Sequence, residues 1–294
     1  MAQLEQIASH TYTITTRWVC MPLYEIAPRT VVLMDSGYHD ESGELLAVLE
    51  KNDLQVAAVL TSHAHYDHIG AHTLLREKYG ARLYADLVSA GLLSSRDALQ
   101  AQFPGYSDAE LRILFPYMEF GIDEILDPAK GSVEIGGHTF GLLRLPGHAF
   151  SHLGFTTEDG ICYAADLMIS GEELRNAKMT FCTDVEQSIR SIRRIRGQNV
   201  GRLVLAHKGC AEDKEMLCDL NIAKLEGQLE RTRRMADSWV SFDELCRRVA
   251  EREYRKLPVF LTLARIVRAN VACLVDRGAM EKRIEGNVVV YKGI

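Results

Sequence analysis

Six residues constrain this chain more than any others: His63-Ala64-His65-Tyr66-Asp67-His68. Three imidazoles and a carboxylate crowd together there, and an apolar run, Val56-Ala57-Ala58-Val59-Leu60, leads straight into them. The run reads as a buried strand with Thr61 and Ser62 at its end. Beyond it the chain must turn, so side chains 63, 65, 67 and 68 can converge on one point. Imidazole nitrogen and carboxylate oxygen are the donors a hard-to-borderline divalent metal takes. Buried without a metal, these groups would need partners for nearly every polar atom, at roughly 1–3 kcal/mol for each one left unpaired.

Three further segments repeat the same grammar of strand first, ligand-type residue last. Thr139 to Leu145 is an apolar strand pattern followed by Pro146-Gly147-His148; Ile161-Cys162-Tyr163-Ala164-Ala165 ends on Asp166; Leu203-Val204-Leu205-Ala206 ends on His207. Together with an early Asp-x-Gly turn at Asp35-Ser36-Gly37, this order resembles the metallo-β-lactamase superfamily, with a glyoxalase II-like signature, over roughly residues 10 to 210.

The resemblance implies a four-layer αββα sandwich and a binuclear site. His63, His65 and His148 would hold the first metal, Asp67, His68 and His207 the second, and Asp166 would bridge them. It also implies a hydrolase in which a metal-bridging hydroxide attacks a carbonyl of a thioester, lactone, ester or amide, with Asp67 both ligand and orienting group. Zinc suits the imidazole-rich set, and iron or manganese also accept N and O donors. One departure stands at the last ligand: relatives often read Pro-Gly-His-Gly, whereas this chain reads Ala206-His207-Lys208-Gly209. Lys208 is either a solvated loop lysine or a group that binds a substrate anion. His152, four residues after His148, supports the site from beneath or touches substrate; His39 could face the cleft mouth; His72 reads as a surface or supporting residue. The superfamily hosts many chemistries on one scaffold, so the motif does not select the substrate.

Of 294 residues, 47% are hydrophobic and 25% charged, enough for a full core in a soluble enzyme. No apolar stretch approaches bilayer length and no secretory leader is evident. Seven scattered cysteines without a C-x-x-C pair suggest reduced thiols and a cytoplasmic protein.

Along the chain, Tyr12 to Ile26 reads as two strands with a turn or bulge at Pro22. His68 to Tyr79 reads as a helix whose N-terminal amides would face the metals. Residues 86–127 read as an inserted pair of helices, Asp86 to Gln102 and Ser107 to Gly121. The second opens on the capping box Ser107-Asp108-Ala109-Glu110. The insertion is either a lid or a flanking pair. Residues 1–215 are expected to form the catalytic domain and 216–294 a small C-terminal one.

That tail carries a different charge. Residues 221–294 hold 15 basic and 10 acidic residues, net +5, against −11 for the rest. A long charged helix is followed by a helix opening at Ser241, another opening at Pro258, and a hairpin around Gly286-Asn287. This order resembles the winged-helix-like domain found on some metallo-β-lactamase-fold hydrolases. Arg265, Arg268, Lys282, Arg283 and Lys292 would meet phosphates in a nucleic-acid reader. The acidic body argues instead for a small-molecule substrate, with the tail docking in a homodimer. The alternatives are a phosphodiesterase or ribonuclease that uses the basic tail, and an iron-dependent sulfur dioxygenase.

Overall fold

The computed structural model describes residues 2–103, 105–211, 213–254 and 260–294, without the side chains of Phe260 and Leu261. The chain falls into two compact units. One comprises Met1–Leu145, Ser151–Asp166 and Gln198–Glu212; the other comprises Pro146–Phe150, Leu167–Gly197 and Asp213–Ile294.

The first unit contains two sheets. The seven-stranded sheet runs in chain order through β1 (Gln3–Gln6), β2 (Thr11–Thr15), β3 (Cys20–Ala27), β4 (Thr30–Met34), β5 (Gln55–Leu60), β6 (Arg82–Asp86) and β7 (Glu124–Leu126). It is antiparallel as far as β4 and parallel from β4 onward. Parallel neighbours need long crossovers. These are supplied by α1 (Ser42–Lys51), by α2 (His72–Tyr79), and by α3 (Leu87–Leu93), α4 (Arg96–Gln102) and α5 (Asp108–Leu114) together. The six-stranded sheet comprises β8 (Ser132–Ile135), β9 (His138–Arg144), β10 (Leu153–Thr156), β11 (Ile161–Tyr163), β12 (Arg202–Leu205) and β13 (Gly209–Cys210), in the order β13-β12-β11-β10-β9-β8.

Strand periodicity divides the apolar residues between two cores. In β4, Val31 and Leu33 join Leu45, Leu49 and Leu75 of the helices. Val32 and Met34 face Phe140, Leu142, Phe155 and Tyr163 of the other sheet. In β5 that alternation would fail without a bulge. Val31 pairs with Val56 but Val32 pairs with Ala58, so Ala57 is the extra residue. The bulge restores the parity: Val56 and Val59 turn to the helices, Ala58 and Leu60 to the second sheet. A one-residue slip would exchange the two faces, and with them the directions of Thr61, Ser62 and His63. The expected α/β sandwich is present, with extra C-terminal helices.

Three local expectations need correction. The turn between β2 and β3 lies at Thr16 to Val19; Pro22 sits inside β3 opposite Thr13, outside the β4 ladder that begins at Leu23. The inserted helices number three, because Ser95 caps a separate α4; the capping box at Ser107 forms as read. The third correction concerns α2, which begins at His72 and not at His68. The carbonyl of His68 accepts from the Ser36 amide at 2.7 Å, and the Gly70 amide donates to Gly37 at 2.8 Å. With those groups committed to the end of β4, residues 66–71 form turns and a bend, not an α-helix. The amides of α2 therefore do not supply the positive potential expected at the metal motif.

The second unit contains α6 (Gly171–Asn176), α7 (Val185–Arg196), α8 (Lys214–Met235), α9 (Phe242–Glu253) and α10 (Phe260–Asp276), with β14 (Val240–Ser241), β15 (Met280–Glu285) and β16 (Val288–Gly293) paired as β14-β16-β15. The expected helix start at Pro258 lies outside the described residues. Gly286 turns the hairpin at φ +59°, and the short strand β14 had no recognisable sequence signal. A buried polar ladder links α8 to α10: the Gln228 amide donates to Asn270 Oδ1 at 3.0 Å, and the Asn270 amide to Thr232 Oγ1 at 3.0 Å. Among the described residues no helix is long and apolar enough to cross a membrane.

Gly70, two residues past the metal motif, has no room for a side chain. A Cβ there would overlap the backbone of Tyr38 and His39, so Gly70→Ala should lower stability by about 3 kcal/mol. Thermal and urea unfolding read this directly; an unchanged midpoint would show that the 35–37 and 68–72 segments are not clamped as described.

Candidate metal centre

The site is assembled at strand ends. Asp35 follows β4, Ser62 and His63 follow β5, Asp166 follows β11, and His207 sits in the turn between β12 and β13. Asp35 is buried and held at φ +61°. Its carboxylate accepts from the Ser62 amide (2.7 Å), Ser62 Oγ (2.6 Å), His68 Nδ1 (2.8 Å) and the Tyr163 hydroxyl (2.8 Å). Because Ser62 gives its proton to Asp35, its oxygen is left to accept from His63 Nδ1 at 2.9 Å. One carboxylate therefore fixes the tautomer of two histidines, His68 directly and His63 through Ser62. Both present Nε2 lone pairs away from it.

His207 is set in the same way by a different partner: its Nδ1–H donates to the Trp18 carbonyl at 2.8 Å. Its Nε2 lies 3.5 Å from Asp67 Oδ2 and 3.5 Å from Asp166 Oδ1. His68 Nε2 lies 3.7 Å from Asp67 and 3.4 Å from Asp166. The ligand atoms of Asp67, His68, Asp166 and His207 all lie within 4.8 Å of one another. His68 Nε2 is buried with no hydrogen-bond partner among the described residues. An acceptor lone pair so placed, facing two carboxylates, fits a divalent cation and no protein donor.

The electrostatics agree. Burial alone would push His68 down, yet Asp166, Asp67 and Asp35 hold it well above its ordinary value. His207 is likewise pulled up to about 11, because its hydrogen bonds to Asp166 and Asp67 outweigh burial. Burial opposes ionisation of Asp67, but His68 and His207 hold its carboxyl below the usual range. Without a cation, protons carry the positive charge that the two carboxylates demand. A metal would displace them.

The remaining residues read from sequence are placed as follows. His63 Nε2 is 2.9 Å from His65 Nδ1. His148 stands in a loop pinned to α7: the Gly147 carbonyl accepts from the Thr183 and Asp184 amides, and the Pro146 carbonyl from Ser191 Oγ at 2.7 Å. His148 meets Phe181 edge-on, with ring centroids 5.5 Å apart. His152 is wholly buried; its Nε2 accepts from the Asp166 amide at 3.3 Å, and its ring lies 4.9 Å from that of His63. It therefore lies beneath the site as a support. His39 stacks on Tyr117 and donates from Nδ1 to the Gly70 carbonyl at 3.0 Å. His72 is not at the surface: it is wholly buried between Ser36 and Thr61, and burial pushes it down to about 3.

Lys208 extends into solvent from a backbone at φ +69°. That left-handed conformation costs a non-glycine residue about 1 kcal/mol.

Tyr38 and Tyr66 were not singled out by the sequence, although the aromatic insertion was. Tyr66, inside the motif, meets Tyr38 at 5.7 Å and Phe115 at 5.6 Å, and Phe103 stacks on Phe115. Burial first, then the neighbouring Asp67, raises both Tyr38 and Tyr66, so their hydroxyls stay protonated. The insertion touches the motif itself, through Gln102 Nε2 donating to the Ala64 carbonyl at 3.1 Å. It packs on the helical face and also reaches the metal loop. The aromatic content of residues 103–120 was the available signal.

Comparison with known proteins agrees with this geometry. A family model described as the metallo-beta-lactamase superfamily matches residues 23–207. The hydroxyacylglutathione hydrolase GloC of Haemophilus influenzae is 23% identical over 145 residues, covering 49% of this chain and 63% of that protein. A hydroxyacylglutathione hydrolase of Klebsiella pneumoniae is 29% identical over 140 residues, 48% of this chain and 43% of that one. The chain thus spans less than two thirds of the length of either relative. A metallo-beta-lactamase family protein from Thermus thermophilus superposes with a TM-score of 0.72 at 18% identity, over 97% of this chain and 99% of its own.

Two outcomes follow. Asp35→Asn should weaken metal affinity roughly 10–100-fold while the chain still folds. Chelator competition with elemental analysis measures this, and undiminished affinity would remove Asp35 from its positioning role. For the metal-free protein, the raised His207 adds stability that is complete below its unfolded value and is lost as pH climbs toward about 11. Its melting temperature should therefore fall between pH 7 and pH 10, and fall less with metal bound. A flat or rising profile would contradict the proton's place in the cluster.

Proposed function

We propose that this chain, which belongs to the metallo-β-lactamase superfamily, is a binuclear metal-dependent hydrolase that cleaves a carbonyl bond of a small substrate. The observation that carries this is the pair of tautomer-fixed histidines, His68 and His207, aimed with Asp67 and Asp166 at one point. We assign one ion to Asp67, His68 and His207. We assign the other to His63, His65 and His148, whose imidazoles supply the nitrogen donors a divalent metal takes. Asp166 is shared. Two divalent cations supply, when bound, an acidified water and a polarised substrate oxygen.

The chain's own contributions are separate from that. Asp67 would hold one ion and orient the attacking water; both ion-pair contacts of its carboxylate use Oδ2. His152 holds the Asp166 backbone in register. Tyr38 and Tyr66, kept protonated, offer hydroxyl donors at the rim, and the insertion excludes water over the metal loop. Among the candidate bonds we place thioesters first, since two relatives are named as hydroxyacylglutathione hydrolases. We take zinc as the metal. We assign residues 1–215 to catalysis and 216–294 to a winged-helix-like module that serves a homodimer. Three of its five candidate phosphate-contacting residues already lie over rings: Arg265 on Phe181, Arg268 on Phe242 and Arg283 on Trp239. That favours docking over a nucleic-acid track. Seven scattered cysteines without a C-x-x-C pair fit a reducing cytoplasm.

The test is metal analysis with a panel of a thioester, a lactone, a β-lactam and bis-p-nitrophenyl phosphate. Close to two metals per chain and thioester turnover are expected. Asp67→Asn should abolish turnover with its circular dichroism unchanged, and Asp166→Ala should empty the site. One iron per chain, or preference for the phosphodiester, would overturn the reading.

A further inference from the structure

The loop that carries His148 groups with the C-terminal helices and not with the strands on either side of it. The reason lies in the segment between Asp166 and α7. Residues 167–184 belong to no strand, and apart from the short α6 they are irregular. Their backbone groups must find partners elsewhere, and one face of α8 supplies them. Asn221 Oδ1 accepts from the Ile169 amide at 3.1 Å, and its Nδ2 donates to the Ile169 carbonyl at 3.0 Å. Lys224 donates to the carbonyls of Leu174 and Ala177, and Arg231 to that of Lys178 at 3.0 Å. Gln228 Oε1 accepts from the Thr180 amide at 3.0 Å and from Thr180 Oγ1 at 3.1 Å. Positions 221, 224, 228 and 231 form one stripe of a helix. Gln228 is wholly buried and Asn221 nearly so, where an unmatched side-chain amide would be costly. Both spend their polar atoms on this segment.

The far end of the segment meets the His148 loop. The Thr183 amide donates to the Gly147 carbonyl at 2.7 Å, and its hydroxyl to the same oxygen at 3.0 Å. A Cβ on Gly147 would stand 2.3 Å from the Ser188 amide nitrogen of α7, so the loop lies directly on that helix. One residue further, His148 meets the ring of Phe181, and Arg265 of α10 lies over that same ring, 5.0 Å from its centroid. A guanidinium over an aromatic face restrains both groups. The helices behind them are themselves tied. Gln228 reaches α10 through Asn270, and Arg277 of α10 donates to Glu186 of α7 and Glu226 of α8.

We propose that α8 and α10 are part of the scaffold of the metal centre: Gln228, through Thr180, and Arg265, through Phe181, are positioning residues for His148. This rests on the assignment of His148 to one of the two ions. Asp35 and the Trp18 carbonyl set His68 and His207 from the strand ends. His148 is set from the C-terminal helices instead, with Phe181 as the contact. The module assigned above to docking thereby also determines how one ion is held.

The experiment titrates the metal-free full chain with zinc against a chromophoric chelator, which resolves the two ions. In Phe181→Ala one ion should bind roughly tenfold more weakly, the loss typical of a removed outer-shell partner, and the other should bind as in wild type. Phe181→Tyr, which keeps the ring, should stay near wild type. Arg265→Ala should weaken the same ion, and Arg265→Lys should restore it. In a His148→Ala background Phe181→Ala should cost nothing further, because the two act as a unit; a merely structural role would add its loss there. Equal weakening of both ions, or no weakening, would overturn the proposal.

A second readout needs no metal. Hydrogen exchange of residues 146–150 in the metal-free chain should quicken roughly tenfold in Phe181→Ala and in Gln228→Ala, with residues 60–70 unaltered. Phe181 and Arg265 are only half-buried, so their variants decide the matter whether or not Gln228→Ala folds. Unchanged exchange at 146–150 would also overturn the proposal. If the wild type takes up fewer than two zinc ions, the binuclear reading falls, and the exchange comparison still decides whether these helices hold the His148 loop.

Discussion

The metal centre depends on one buried carboxylate. Asp35 accepts four hydrogen bonds and thereby joins three strand ends: its own, that of β5 through Ser62, and that of β11 through Tyr163. It also sets His68 directly and His63 through Ser62. An imidazole can place its proton on either nitrogen, and only one choice leaves a lone pair where a metal can take it. Supplying that choice to two histidines from one oxygen pair makes the geometry of the donor set a property of the fold rather than of the ion.

The fold accepts strain to reach this arrangement. Among the described residues five non-glycine positions have positive φ, and three of them, Asp35, Ala165 and Lys208, are site residues or the neighbour of one. Each lies at or just past the end of a strand, where the chain must turn. Such conformations cost roughly 1–3 kcal/mol each and persist only where surrounding bonds over-determine them. Here those bonds are the Asp35 network, the Ala206 amide donating to the Ala165 carbonyl at 3.1 Å, and the contact of residues 206 to 209 with residues 18 to 20. The same competition shortened α2: once His68 and Gly70 spend their backbone groups on the Asp35-Ser36-Gly37 turn, a helix cannot start there.

The legible parts were those written in local pattern. Apolar runs of four to six residues ending on His or Asp gave the strands and ligand candidates, since strand burial and metal chemistry each demand specific residue types. Ser107 and Ser241 announced their helices, because a cap is satisfied within four residues. Pro22 misled, because a proline at the end of a ladder needs no amide partner. His72 was open between the surface and a supporting place, since a buried histidine satisfied by two hydroxyls has no signature at its own position.

The sequence by itself determined the donor chemistry, the order of ligand-type residues and the alternation that builds two cores, because these follow from residue type and spacing. Only the tertiary structure decided which atom does what. The bulge at Ala57 that orients His63, the carboxylate that fixes two tautomers, the aromatic rim and the seating of the 206–209 turn along residues 18–20 all join residues far apart in the chain. Such contacts exist only after strands from both sheets have packed, and no local pattern encodes them.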